Sequence, residues 1–175
     1  MATTPALSTM EQYLHTSFHP DVDFVDGELE ERNSGERDHG RIQALLAAWF
    51  LSREERFGTF AVVEQRIQVT PSRVRICDIT VLHATAPYEA VVKTPPFICV
   101  EVLSPEDRLS RAQVVLADYL AMGVEHVWLV DPIRQIAYTY TSTGLQVAVG
   151  NVLRVAGTNI VLEMDVLFAT LDRAY

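Results

Sequence analysis

The sequence predicts a mixed α/β domain, a central mixed β-sheet flanked by helices, on three observations. An apolar stretch at 97–103, an amphipathic one at 106–122 and a second apolar one at 124–130 run in strand-helix-strand order. A right-handed crossover of that kind makes the two strands parallel and buried. Upstream, Ile42, Leu45, Leu46, Trp49 and Phe50 recur at 3.6-residue spacing, predicting a long helix over Asp38 to Glu55 whose apolar face lies on a sheet. Between the helices, β-branched stretches separated by turn residues supply the remaining strands.

The chain has 175 residues, of which 49% are hydrophobic. That is enough for one buried core, and neither a repeat nor a Pro/Gly/Ser-rich linker divides it, so 1–175 reads as a single domain. No apolar run approaches the roughly 20 residues of a bilayer-spanning helix. Met1 to Thr9 has neither the basic start nor the apolar stretch of a signal peptide, which predicts a cytoplasmic protein with no membrane partner. Cys77 and Cys99 sit in β-branched runs, where free cysteine acts as a small core residue, and no zinc spacing occurs.

The net charge is −9, which argues against a simple electrostatic binder of polyanions. The acidity is concentrated, however: residues 1–40 carry nine acids and two bases. Residues 41–175 are then nearly balanced, at a net −2. Thirteen of the fourteen basic residues are Arg and Lys93 is the single lysine.

In chain order, Ser8 or Thr9 caps a short helix to about Phe18, ended by His19-Pro20. Asp26-Gly27 between Val22–Val25 and Glu28–Glu31 is a two-residue type I′ hairpin signal. After the long helix, strands are expected over Thr59 to Glu64, Arg66 to Thr70, Val74 to Leu82 and Phe97 to Leu103. Glu106 to Met122 is a helix started by Ser104 or Pro105 and stopped at Gly123. Ile133 to Thr141 and Leu145 to Val149 close a hairpin around Ser142-Thr143-Gly144, and Val161 to Leu171 ends the chain in a short strand or helix.

Two carboxylates interrupt strands that otherwise read as buried: Asp78 in Arg-Ile-Cys-Asp-Ile-Thr-Val and Glu101 in Phe-Ile-Cys-Val-Glu-Val-Leu-Ser-Pro. A charged carboxylate inside a packed strand is costly unless a cation or hydrogen bonds compensate it. One alone is most simply a strand end meeting water or an Arg. Two on adjacent strands repel each other unless a cation lies between them, and Mg²⁺ is typically held by one or two carboxylates plus water.

Asp26-Gly27-Glu28-Leu29, a helix preceded by Ser34 and carrying His39, Cys77-Asp78-Ile79-Thr80-Val81, Val100-Glu101-Val102-Leu103-Ser104-Pro105, and Tyr119 with Gly123-Val124 and Trp128-Leu129-Val130-Asp131-Pro132 together resemble the Uma family of bacterial restriction endonucleases. The resemblance runs from about Phe24 to Tyr140. It implies the PD-(D/E)XK restriction-endonuclease-like fold and an Mg²⁺- or Mn²⁺-dependent endonuclease that hydrolyses DNA phosphodiesters. It further implies a metal held by Asp78, Glu101 and the backbone carbonyl of Val102, with Glu28 and His39 near the pocket. For His39 a solvated place at a helix start is an equal alternative, and for Arg108 and Arg111 a solvated helix face is the simpler one. Arg111 is retained as a candidate for stabilising phosphorane charge; a permanently protonated Arg cannot act as general base.

The family's lysine is missing. In PD-(D/E)XK enzymes it usually follows the Glu by two residues, where this chain has Leu103; in the Uma family it commonly moves to the next helix, where this chain has Val115. Lys93 lies eight residues before Glu101, about 26 Å along an extended strand at ~3.3 Å per residue. A catalytically silent metal-binding or interaction domain, and a nuclease for small nucleotides, are therefore competing expectations. The stripe of Leu109, Ala112, Leu116 and Tyr119 reads as core packing. A homodimer is expected from the apolar alternation of Ile136, Tyr138 and Tyr140 and the apolar 161–171 segment.

Overall fold

The computed structural model describes residues 9–33 and 35–172; Ser8 and Ser34, named above at helix starts, and the rest of the 1–8 stretch lie outside them. Helix α1 (Met10–Leu14) begins at Thr9, whose side chain accepts from the Gln12 N–H while Gln12 reaches back to the Thr9 N–H. This capping box satisfies two amide donors that the helix itself cannot. Strands β1 (Val22–Val25) and β2 (Glu28–Glu31) form the expected hairpin. Asp26 and Gly27 both have positive φ, 52° and 96°, as a type I′ turn demands.

The predicted Asp38–Glu55 helix is two helices, α2 (Arg37–Leu51) and α3 (Glu54–Phe57). The break falls at Ser52-Arg53, where both side chains bond back to the Trp49 carbonyl and Arg53 leaves helical geometry. The two short strands expected next are one, β3 (Thr59–Thr70), which pairs along its length with β4 (Arg73–His83). Strand β5 (Ile98–Val102) leads into α4 (Leu109–Met122). That helix starts three residues later than predicted, because Asp107 turns back to accept the Ser104 N–H and to donate its own N–H to the Ser104 carbonyl. Strands β6 (His126–Asp131), β7 (Ile136–Thr141) and β8 (Gly144–Val147) follow, then a short 3₁₀ turn, the β9 (Val152–Arg154) and β10 (Val161–Glu163) hairpin and α5 (Met164–Phe168).

The main sheet runs β2-β1-β4-β5-β6-β7-β8, with β3 on the other edge of β4. Only β5 and β6 are parallel, as the crossover through α4 requires. Strand β6 is buried on both faces: Trp128 and Val130 join the core under α2, α5 and the β9–β10 hairpin, while Val127 and Leu129 join the core under α4. Tyr138 is buried in the α4 core with Ile136 and Tyr140 packed against it, and Leu162, Met164, Leu167 and Phe168 fill the opposite core. Much of the apolar surface that suggested a homodimer is thus packed inside one copy, while Val161 and Val166 of the C-terminal segment stay exposed. Cys77 and Cys99 are free and buried, and among the described residues no helix is long and apolar enough to cross a membrane.

Candidate active site at the fork of the sheet

Strand β3 occupies one edge of β4 throughout, and the other edge is shared by two strands that do not meet. β1 pairs with Arg73 and Val74, β5 with Ile79 to Val81, and residues 75–78 between them have no strand partner on that side. The fork is closed by carboxylates. Asp23 of β1 accepts the Ile76 N–H at 3.0 Å, and Asp78 accepts the Val102 N–H at 2.7 Å. Continuing the Ile79–Val100 register by one step sets Asp78 opposite Glu101.

The residue across from Asp78 on β3 is Glu64, in left-handed conformation at φ 50°. Such a residue breaks the two-residue alternation of a strand. Ala61 and Ile67, which an unbroken strand would send to one face, lie in different cores, and so do Cys77 and Ile79. The inversion brings Glu64 beside Asp78 with the ladder still in register. A third carboxylate thus reaches the site, and the sequence reading missed it because Glu64 sat at the end of an expected strand.

Cations and donors surround this cluster. Arg32, just beyond β2, donates to Glu64 at 2.6 Å and to Asp78 Oδ1 at 2.8 Å. His39, in the first turn of α2, sets Nε2 3.4 Å from Asp78 Oδ2. Gln43, one turn on, donates to Glu64 and to the Asp78 carbonyl. A Cβ built on Gly35 would lie 2.6 Å from His39 Nδ1, so the loop needs glycine there to pass over the imidazole. Tyr119 of α4 donates to Glu101 Oε1 at 2.6 Å.

These contacts shift the pKa values of the site. Burial pushes Asp78 up, but His39, Arg32 and the Val102 N–H together hold its carboxyl below the usual range. Glu101 goes the other way: burial, then the Asp78 charge, push it well above normal, with Arg32 and Tyr119 opposing too weakly to reverse the shift. Burial acts against the His39 charge, yet Asp78 and Glu64 raise its pKa. Asp78 and Glu101 are therefore driven in opposite directions, as expected of two neighbouring carboxyls of which one takes most of the positive partners.

The cluster forms one wall of an open cavity of about 210 Å³. Asp78, Glu101, Val102, His39 and Arg111 all line it. Arg111 is half exposed and donates to the Glu31 carbonyl, and Asn33 donates to Asp107, so the loops on either side of the mouth are tied together. Glu28 is not brought in: it is exposed beside the hairpin turn, opposite Val25. Farther along the same chain, Glu30 bonds Arg75 and Arg32 reaches the cluster instead. Arg108 is the N-cap residue of α4, outside the cavity wall. Leu103 and Val115, the two lysine-equivalent positions, both line the cavity.

Among the described residues no three His, Cys, Asp or Glu side chains converge as a ready metal-binding set. The oxygens that the family resemblance implies for a hard cation, those of Asp78, Glu101 and the backbone at Val102, belong to residues of this wall, with Glu64 beside them, and for Mg²⁺ one or two carboxylates with water suffice.

No curated protein matches this chain. Among solved structures, a crystal structure titled as a "putative nuclease belonging to DUF820" from Anabaena variabilis superposes with a TM-score of 0.82 at 20% identity, covering 94% of this chain and 99% of that one. At that identity the likeness shows the fold, which is restriction-endonuclease-like. The Uma2 family, described as "Putative restriction endonuclease", matches residues 10–165, and the chain belongs to that family.

Proposed function

We propose that this protein is a divalent-metal-dependent nuclease that hydrolyses DNA phosphodiesters, with Mg²⁺ or Mn²⁺ held by Asp78, Glu101 and the Val102 carbonyl. The observation that carries it is the pairing of Asp78 with Glu101 at the fork, where the Asp78 charge is one cause of the raised Glu101 pKa. A divalent ion there removes that repulsion, and the oxygen donor set suits it. When bound, such an ion polarises the phosphoryl oxygen and lowers the pKa of its water.

The chain's own residues supply the rest. The Val102 N–H and His39 fix the orientation of Asp78, and Tyr119 fixes Glu101. Arg111, at the cavity wall and half in water, is placed to meet a phosphate oxygen. Neither Leu103 nor Val115 can orient a water or take a proton.

That last fact favours a second reading, a domain that binds a metal but no longer cuts. One assay separates them: purified protein with Mg²⁺ or Mn²⁺ on single-stranded DNA, duplex DNA and RNA, beside Asp78→Ala. DNA cleavage lost in the variant is the expected result. Metal binding without cleavage of any substrate supports the silent domain.

A further inference from the structure

We propose that Arg32 is the resident counter-cation of the carboxylate cluster and competes with a divalent ion for Asp78. The inference rests on the metal-dependent reading above and adds a residue that neither the motif pattern nor the expected ligand set contains. Its guanidinium binds Asp78 Oδ1 at 2.8 Å and Glu64 Oε2 at 2.6 Å, while the second Asp78 oxygen takes the Val102 N–H and faces His39. Both oxygens of the carboxylate are thus engaged by the protein itself. Asp78 is 1% exposed with these partners in place, so losing one of them is costly unless another cation takes its position.

Arg32 lies in the irregular stretch after β2, not inside an element, so its side chain can withdraw without breaking a ladder. The charge inventory gives the direction of the effect. Glu64, Asp78 and Glu101 face Arg32 and His39, and all five side chains line one cavity. Adding a dication to the full set places it against a guanidinium already bonded to its ligand. Entry of the ion is then coupled to departure of Arg32 from Asp78, and departure leaves Arg32 anchored to Glu64 at the cavity wall.

Mn²⁺ binding measured by calorimetry on wild type, R32Q and R32K tests this. R32Q removes the competing charge and is expected to bind Mn²⁺ about tenfold or more tightly, within the usual range for coupled binding events. R32K keeps the charge and should stay near wild type. Equal or weaker binding by R32Q, or equal tightening in both variants, overturns the competition while leaving the metal site intact. No Mn²⁺ binding by any of the three overturns the competition and the metal-dependent reading together. A wild-type measurement guards against an unstable variant. In nitrogen-labelled protein the Arg32 Nε–H signal, identified by its absence in R32K, should shift or broaden as Mg²⁺ saturates. A signal unchanged while Mg²⁺ binds overturns the proposal.

Discussion

The hydroxyl of Tyr119 donates to Glu101 Oε1 at 2.6 Å, joining the buried face of α4 to the carboxylate pair at the fork. Tyr119 is fully buried in the α4 core, so its ring packs as the helical stripe predicted, and its polar tip serves the site. Tyr119→Phe keeps the ring and deletes the donor. The expected loss is ~1 kcal/mol, the net worth of one hydrogen bond to a half-buried carboxyl that faces the cavity. The urea midpoint reads it, and a midpoint equal to wild type would show that Glu101 finds another donor.

Val115 lines the cavity, so a lysine there can place its amine in the mouth while its methylenes cover the wall. Val115→Lys is expected to raise DNA cleavage about tenfold or more, because an amine can orient the attacking water and offset developing charge. Turnover of the folded variant, compared with wild type on one substrate, is the check. No gain in a variant that folds and binds Mn²⁺ would speak for the silent domain.

Arg75 is 2% exposed and binds Asp23 at 3.1 Å, Asp118 at 2.8 Å and Glu30 at 3.0 Å, linking β1, β2, β4 and α4. Burial drives Asp23 toward its protonated form, and Arg75 and Arg32 oppose that. Arg75→Met leaves buried Asp23 without the cation it contacts and Asp118 with Arg73 alone, and should cost ~3 kcal/mol. Chemical denaturation measures this. A loss under ~1 kcal/mol would mean that the carboxylates had taken up protons at little expense.

His126 lies far from the fork, with its ring 5.3 Å from Phe97 and 6.3 Å from Trp128. Burial holds its pKa below the usual value, and Glu125 opposes this only in part. The folded state therefore binds this proton less readily than the unfolded state. The associated stability is present above the unfolded pKa of ~6.5 and is lost as pH falls from there through the folded value. His126→Gln should flatten the melting-temperature profile between neutral and mildly acidic pH. Parallel profiles for wild type and variant would exclude the effect.

The elements themselves were legible in the sequence because each is encoded locally. Asp26-Gly27 demanded its turn, the 97–130 pattern demanded a parallel pair, and Asp78 and Glu101 announced themselves as charges inside apolar strands. The residues that complete the site left no such signal. Arg32 reads as one charge in an acidic loop and Glu64 as the end of a strand. Their roles come from the β4 fork and from one left-handed residue that inverts the faces of β3, bringing together side chains 32 and 46 positions apart. Sequence periodicity records which face a residue occupies within an unbroken element. Where two strands part and a third inverts, partners are chosen by tertiary geometry, and the need to neutralise a buried charge decides which side chains meet.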